Sequence, residues 1–342
     1  MRAPREVTIR GRRFGRLASL GLAVAAALLG GTASNVAAQK TEAALASPNN
    51  PEIILVRAMT LFATKVAEKT KGNVTIKVVH SGQLGGMKEN FESIMAGNLE
   101  MAQVNNAFLA NLYPATALFD LPFLFRDNEH MKHVVRGPIG QQVYGDFEKK
   151  TGIRLFMTGL ADGPRSVWNR RRAVRVPEDM KGIKLRVMQG PLMVDTFKAL
   201  GAIPTPMPFP EVYMAAKQGV IDGAEQPPFG VVELKANEVA KYYSLTKHFA
   251  MPSALGIGVK WLNGLSKEHQ QAIQEAADEA RAWYDGQYAA EDAAALVEIK
   301  KRGMEINDTD IEQFRAAVKP VYDKYADQVG GWKLIQAVLD TK

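Results

Sequence analysis

The sequence predicts an α/β protein, because segments with strand character alternate with amphipathic helices along most of the chain. A β-branched strand at 74–79 follows a helix expected at 52–70 and precedes a second helix at 87–96. Further strands are expected at 99–104, 153–159, 183–188 and 254–259, and further helices at 190–200 and 210–218. Such alternation is typical of helices packed on a sheet rather than of an all-helical or all-β protein.

The length of the chain favours two domains. The 342 residues include about 304 that follow an N-terminal export signal, which suits two domains of roughly 150 residues each. We find no internal repeat, no low-complexity linker and no sharp change in composition between them. The two lobes are therefore expected to be packed and interwoven rather than joined by a tether.

Residues 1–38 have the three-part pattern of a secretory signal. Six arginines, including Arg12 and Arg13, precede an apolar run at 17–29, and small residues close the segment. We expect cleavage after Ala38 and release into the periplasm. The alternative, a retained membrane anchor, is disfavoured because the run is shorter than the roughly 20 residues that span a bilayer. The arginine pair leaves open whether export is general or of the twin-arginine type.

Charge and cysteine content exclude several classes of function. Of 43 basic and 36 acidic residues, six arginines and one glutamate lie in the signal, so the remainder carries a charge of about +2. The high overall charge is therefore no indication of nucleic-acid binding. The chain has no cysteine, which excludes disulfides, thiolate catalysis, Cys-ligated metals and a lipoprotein anchor.

The C-terminal third is predicted to be mainly helical. Ser266 is a suitable N-cap for a long helix that continues to about Arg302. Thr309 and Glu312 have the spacing of a capping box for a following helix, which Pro320 is expected to bend or end. The long helix could run past both lobes.

The motif search yields no catalytic or cofactor site. The five histidines form no HExxH arrangement, and there is no GxSxG, phosphate-binding GxxxxGK or complete GxGxxG sequence. His130 and His133 could share a helix face, but metal ligands at suitable spacing are lacking. We therefore expect no metal, no cofactor and no enzymatic activity. An exported hydrolase that uses Glu211 and Asp222 remains an alternative.

Two arginines are candidates for binding an anion. Arg186 lies in the predicted strand at 183–188, and Arg165 follows Gly163-Pro164, which we expect to form a turn at the end of the strand at 153–159. A guanidinium binds a carboxylate through two parallel hydrogen bonds. The residues alone favour a solvent-facing side chain for Arg186, because strands alternate between inner and outer positions.

Seven short motifs occur in the order and spacing of a known family. The sequence after the signal resembles the substrate-binding proteins of tripartite ATP-independent periplasmic (TRAP) transporters, of the dicarboxylate-binding type. The motifs are at 81–85, 121–125, 162–166, 179–187, 201–207, 209–213 and 219–227.

This resemblance implies a periplasmic binding protein with two α/β lobes built from discontinuous segments, hinge strands and a long helix that spans both lobes. Lobe I would comprise 39–162 and 251–285, and lobe II 163–250 and 286–342. A small carboxylate ligand would bind between the lobes, and their closed form would deliver it to the small and large membrane permease subunits.

The resemblance also assigns roles to residues. It implies that Arg186 forms the salt bridge to the ligand carboxylate, that Arg165 adds a second contact and that Phe209 walls the pocket. Gln226 occupies a position where the family often has asparagine, so we expect it to form a hydrogen bond with the ligand. Its side chain is one methylene longer, and the resemblance does not determine how far it extends into the pocket.

Two further residues have competing interpretations. Asn105, at the end of a strand, is either a polar ligand contact or a turn residue. Glu92 is either a ligand contact or a residue that stabilises the N-terminal half of its helix. The ligand itself could be a sugar acid such as a uronate or a C4-dicarboxylate. A periplasmic sensor that partners a receptor kinase is the remaining alternative.

Overall fold

The computed structural model describes residues 40–342, in which nine strands form one sheet. The predicted signal and its cleavage site lie outside these residues. The strands are β1 (Thr41–Ala46), β2 (Val74–Val79), β3 (Met101–Asn105), β4 (Ile153–Asn169), β5 (Lys184–Val187), β6 (Ile203–Pro206), β7 (Gly223–Gln226), β8 (Tyr242–Gly258) and β9 (Glu305–Asp308).

Two long antiparallel strands, β4 and β8, join two groups of shorter parallel strands. The order across the sheet is β2-β1-β3-β8-β4-β7-β5-β6, and β9 pairs with one end of β8. β1 lies parallel to β2 and β3 on one side, and β5 lies parallel to β6 and β7 on the other. The pair formed by β4 and β8 therefore belongs to both halves of the sheet.

The prediction of a turn at Gly163-Pro164 is wrong, because β4 continues through these residues. β4 and β8 stay paired from Ile153 to Asn169, and the pairing register shifts between Asp162 and Arg165. A bulge of this kind accommodates a proline, which cannot donate a ladder hydrogen bond. Arg165 consequently extends from the interior of a long strand rather than from a loop.

Thirteen α-helices are distributed along residues 40–342, which confirms the predicted α/β class. They are α1 (Ile54–Lys69), α2 (Met87–Ala96), α3 (Asn106–Leu109), α4 (Asn128–Arg136), α5 (Pro138–Thr151), α6 (Pro191–Ala199), α7 (Val212–Lys217), α8 (Pro228–Glu233), α9 (Val259–Gly264), α10 (Lys267–Lys301), α11 (Ile311–Ala317), α12 (Lys319–Tyr325) and α13 (Trp332–Asp340). None of the helices in this part of the chain is long and apolar enough to cross a membrane.

The long C-terminal helix is confirmed, and one predicted cap is wrong. α10 has 35 residues, and the Ser266 hydroxyl accepts a hydrogen bond from the backbone N–H of His269. The cap of α11 is Asp310 rather than Thr309, whose hydroxyl instead donates to the carbonyl of Leu245. Pro320 lies in the first turn of a separate helix, α12, as expected for a residue that cannot continue α11.

Two hydrophobic clusters fill the interior of residues 40–342. The larger cluster includes Phe62, Phe119 and Phe147, and the smaller one surrounds Trp168 of β4 and Tyr243 of β8. The helix α10 contributes residues to both clusters, which ties them together. The limits of the two lobes stay a prediction.

Candidate ligand-binding site

Five of the six predicted site residues line one cavity near the middle of the sheet. These residues are Asn105, Arg165, Arg186, Phe209 and Gln226. Glu92 does not line it. Its side chain is 59% exposed on α2 and forms an ion pair with Lys88 at 3.8 Å, so Glu92 has no place in this site.

Arg186 is buried in the cavity wall with few partners from the protein. It lies on β5, between Thr205 of β6 and Ala224 of β7, and it is 2% exposed. Its Nε donates a hydrogen bond to the carbonyl of Met207 at 2.9 Å, and it forms no ion pair with the described residues. Burial lowers the pKa of Arg186 to about 10, although the charge of Glu225 opposes the change.

The guanidinium of Arg186 has hydrogen-bonding capacity that the described residues do not use. Its four Nη hydrogens have no acceptor among the residues the structure describes, and the cavity lies beside them. An unpaired buried charge is costly unless a ligand or solvent compensates it. Arg186 therefore offers a planar fork to a carboxylate in the cavity.

Arg165 is equally buried, but the protein already pairs its guanidinium. Its Nε and Nη2 donate to the carboxylate of Glu225 at 2.6 and 3.1 Å, and Nη1 donates to Asp162 at 2.9 Å. A further bond joins Nη2 to the Glu225 carbonyl at 2.8 Å. Burial opposes the charge of Arg165, but Glu225 and Asp162 outweigh burial and raise the pKa of Arg165. One Nη1 hydrogen remains for a ligand.

Glu225 connects Arg165 to His248 beneath the cavity. The Glu225 carboxylate lies 3.3 Å from His248 Nε2, and the Thr246 hydroxyl lies 2.8 Å from His248 Nδ1. Burial alone would raise the pKa of Glu225, but Arg165 and His248 together lower it to about 2. Burial lowers the pKa of His248, which keeps the imidazole neutral at neutral pH. Glu225 therefore acts as the counter-ion of Arg165.

Gln226 presents a free amide nitrogen to the cavity. Its Oε1 accepts a hydrogen bond from the indole of Trp168 at 3.0 Å, and this contact fixes which end of the amide faces inward. Its Nε2 has no partner among the described residues, and the side chain lines the cavity. The longer side chain, in a position often held by asparagine, is accommodated by reaching Trp168.

Asn105 combines a protein contact with an unpaired acceptor. Its Nδ2 donates to the carboxylate of Asp162, and its Oδ1 has no hydrogen-bond partner among the described residues. Burial raises the pKa of Asp162, although Arg165 opposes the change. Since a buried amide oxygen without a partner is rare, Oδ1 is available to a donor on a ligand or a water.

Aromatic rings complete the apolar part of the wall. Phe209 lies on a short helix at Phe209–Glu211 and is half-buried, and Phe229 on α8 packs edge-on against Tyr288 with ring centroids 6.3 Å apart. Both rings line the cavity. Flat apolar surfaces of this kind pack against the carbon skeleton of a small ligand.

Several polar residues of the site were missed by the sequence analysis. Glu225 and Asp162 lie within recognised motifs, but their pairing with Arg165 became visible only in the fold. Asn49 and Glu233 also line the cavity and carried no sequence signal that we used. The pair suggested for a hydrolase, Glu211 and Asp222, lies outside the cavity lining.

No group of three or more His, Asp or Glu side chains is placed to hold a metal ion within residues 40–342. The polar side chains of the cavity lining are two arginines, four amides and two carboxylates, and Asp162 and Glu225 form ion pairs with Arg165. This arrangement can bind an anion and fix the orientation of neutral polar groups on it.

Comparison with known proteins identifies the family. The model of the bacterial extracellular solute-binding proteins, family 7, matches residues 45–328. A 2,3-diketo-L-gulonate-binding periplasmic protein of Escherichia coli is 34% identical over 281 residues, which are 81% of this chain and 85% of that protein. A C4-dicarboxylate-binding periplasmic protein of Rhodobacter capsulatus is 31% identical over 275 residues, covering 78% and 81% respectively.

A solved structure shows the same architecture. The TRAP periplasmic solute-binding protein of Roseobacter denitrificans, crystallised with β-D-glucuronate, superimposes with a TM-score of 0.85 at 31% identity, and the match covers 88% of this chain and all of that one. The two-lobed binding-protein fold expected from the sequence is thereby confirmed. The chain belongs to the bacterial extracellular solute-binding proteins of family 7, the substrate-binding components of TRAP transporters.

Proposed function

We propose that this protein binds a small organic acid in the cavity through Arg186 and presents it to a TRAP permease. The observation that carries the proposal is the state of Arg186, a buried guanidinium with one hydrogen bond and no ion pair among the described residues. A ligand carboxylate supplies the missing charge and two acceptors. Family membership supports transport rather than catalysis.

The charges around the cavity favour a ligand with a single carboxylate. Arg165 and Arg186 are the two cationic side chains of the lining, and Arg165 is already matched by Glu225 and Asp162. A second ligand carboxylate would meet no unmatched cation, and burying it would be costly. We therefore favour a sugar monoacid over a C4-dicarboxylate.

The neutral groups of the lining support a hydroxylated ligand. Gln226 Nε2 is a free donor and Asn105 Oδ1 a free acceptor, while Phe209 and Phe229 offer apolar faces for the carbon skeleton. Hexuronates combine one carboxylate with several hydroxyls, and a structural neighbour has β-D-glucuronate bound. The native ligand is proposed to be of this class.

The proposed transport cycle uses the predicted lobes. Residues 39–162 and 251–285 would form lobe I, and 163–250 and 286–342 lobe II, with β4 and β8 as the strands that cross between them. Contacts that a ligand makes to both lobes would favour the closed form. The proposed partners are the small and large permease subunits, and the proposed location is the periplasm after cleavage behind Ala38.

A ligand screen on the purified mature chain tests this function. We expect D-glucuronate or D-galacturonate to raise the melting temperature, since a ligand in excess stabilises the folded state by RT ln(1 + [L]/Kd). Succinate, malate and D-glucarate should have little effect, and Arg186→Met should abolish every shift. Stronger stabilisation by the dicarboxylates would overturn the monoacid assignment. Shifts retained in Arg186→Met would overturn the role of Arg186.

A further inference from the structure

A second polar anchor lies in the cavity, apart from the arginines. Glu233, the last residue of α8, accepts hydrogen bonds from the backbone N–H of Asn50 at 2.8 Å and from Asn49 Nδ2 at 2.7 Å. Asn49 is held in turn by Gln103, whose Nε2 donates to Asn49 Oδ1 at 2.9 Å. The position of the Glu233 carboxyl group is thus fixed by residues from two other parts of the chain, 49–50 and Gln103.

Glu233 keeps hydrogen-bonding capacity that the protein does not use. Each carboxyl oxygen accepts one bond, so each has a further site available, and the side chain lines the cavity. Burial raises the pKa of Glu233 to about 8, although Asn50 and Asn49 oppose the change. At neutral pH the group can both donate and accept. A hydroxyl group, which also does both, is its natural complement.

Glu233 and Arg186 are held in the cavity from different parts of the sheet. Arg186 extends from β5, whereas Asn49 and Asn50, which hold Glu233, follow β1. Four strands, β3, β8, β4 and β7, separate β1 from β5 in the sheet. Since both side chains line one cavity, a ligand whose carboxylate binds Arg186 can place its other end at Glu233.

We propose that Glu233 is a specificity-determining residue that recognises hydroxyl groups of the ligand whose carboxylate binds Arg186. The proposal rests on the function proposed above and narrows it, since it assigns the two ends of the ligand to two residues. Arg186 selects for an acid, and Glu233 selects for a hydroxylated one.

Calorimetric titration with two matched acids tests the assignment. D-glucuronate and cyclohexanecarboxylate both offer a six-membered ring with one carboxylate, but cyclohexanecarboxylate has no hydroxyls. We expect the wild-type mature chain to prefer D-glucuronate by more than tenfold, and Glu233→Ala to reduce that preference by about tenfold, the effect of losing a hydrogen bond to an ionisable group. Glu233→Gln should keep part of the preference, and Glu92→Gln, an exposed carboxylate outside the cavity, should keep all of it.

The ratio of the two affinities separates recognition from folding. A variant that only disturbs the turn at 49–50 weakens both acids equally and leaves the ratio unchanged, which would overturn the proposal. A ratio unchanged in Glu233→Ala with both affinities intact would also overturn it. If the wild-type chain binds neither acid, the proposed function itself fails, and the inference falls with it.

Discussion

Arg165 Nε and Nη2 donate hydrogen bonds to the carboxylate of Glu225, at 2.6 and 3.1 Å. Arg186, in the wall of the same cavity, has no carboxylate partner among the described residues. Two buried arginines of one site thus have different tasks. The guanidinium of Arg165 is paired with carboxylates of the protein, whereas we propose that the guanidinium of Arg186 binds the carboxylate of the ligand. The first two predictions follow from this difference.

Arg165→Met is expected to destabilise the ligand-free protein by about 3–5 kcal/mol, because it leaves the buried Glu225 and Asp162 without their cation. Loss of acid binding would follow from this disturbance as well as from the loss of one Nη1 contact. Urea unfolding monitored by circular dichroism measures the effect. A free energy of unfolding equal to that of the wild type would show that the ion pairs contribute nothing.

Arg186→Met is expected to leave the free energy of unfolding unchanged or to raise it by about 1 kcal/mol, because it removes an unpaired buried charge. Binding of the acid should weaken about 100-fold or more, since a buried charge partner is lost. The same unfolding experiment, combined with calorimetry, checks both parts. A large loss of stability would mean that Arg186 has protein partners in solution.

Gln226→Leu is expected to weaken binding of a hydroxylated acid by about tenfold, because it removes the free Nε2 donor and leaves the Trp168 indole without its acceptor. Gln226→Glu keeps an acceptor for Trp168 but replaces the cavity-facing donor with a carboxylate oxygen. The added carboxylate should repel an acid, so Gln226→Glu should bind the acid more weakly than Gln226→Leu does. Calorimetry on both variants tests this order, and the reverse order would contradict it.

The contribution of Asp120 to stability is expected to fall as the pH rises from about 4 to about 8. Burial raises the pKa of Asp120 to about 8, so the folded state holds a proton that the unfolded chain releases at its ordinary pKa of 3.8. The contribution is complete below the unfolded pKa and is lost as the pH rises through the folded one. Glu233 and Asp162, whose pKa values are also raised, act in the same direction.

Asp120→Asn provides the test of this pH dependence. Asn106 Nδ2 donates to Asp120 Oδ2 at 2.7 Å, and Oδ1 has no partner among the described residues, so a neutral amide can replace the protonated acid. Urea unfolding at pH 6 and pH 8.5 should show a smaller loss of stability for the variant than for the wild type. Asp327→Asn, at an exposed position, is the matched control. Equal losses in all three proteins would exclude Asp120 as a source.

The sequence predicted helices and strands correctly where residues at their own ends determine where they begin and end. The strand at 74–79 and the helix at 87–96 were located correctly, because β-branched residues and glycines mark their ends. The continuation of β4 beyond Gly163-Pro164 was missed, since it depends on pairing with β8, about ninety residues away. Thr309 was misassigned as a cap because Asp310, one residue later, competes for the same role.

In the candidate site, too, features that depend on local sequence were predicted and features that depend on distant residues were not. The sequence motifs predicted Arg186, Arg165, Phe209 and Gln226 as site residues, and Asn105 was interpreted as either a ligand contact or a turn residue. All five line one cavity. The motifs could not separate a paired arginine from an unpaired one, because Glu225 lies sixty residues after Arg165. Glu92 was misplaced for a related reason. Spacing on a helix reveals which residues share a face, but not which face borders the ligand.

The position of β8 in the sheet also determines when the protein can fold. β3 in the first part of the chain and β4 in the middle both pair with β8, whose last residue is Gly258. Neither half of the sheet can be completed on a growing chain until that residue has been synthesised. During most of its synthesis the chain therefore lacks a finished fold, so that folding is a late event governed by long-range pairing rather than by the order in which helices emerge.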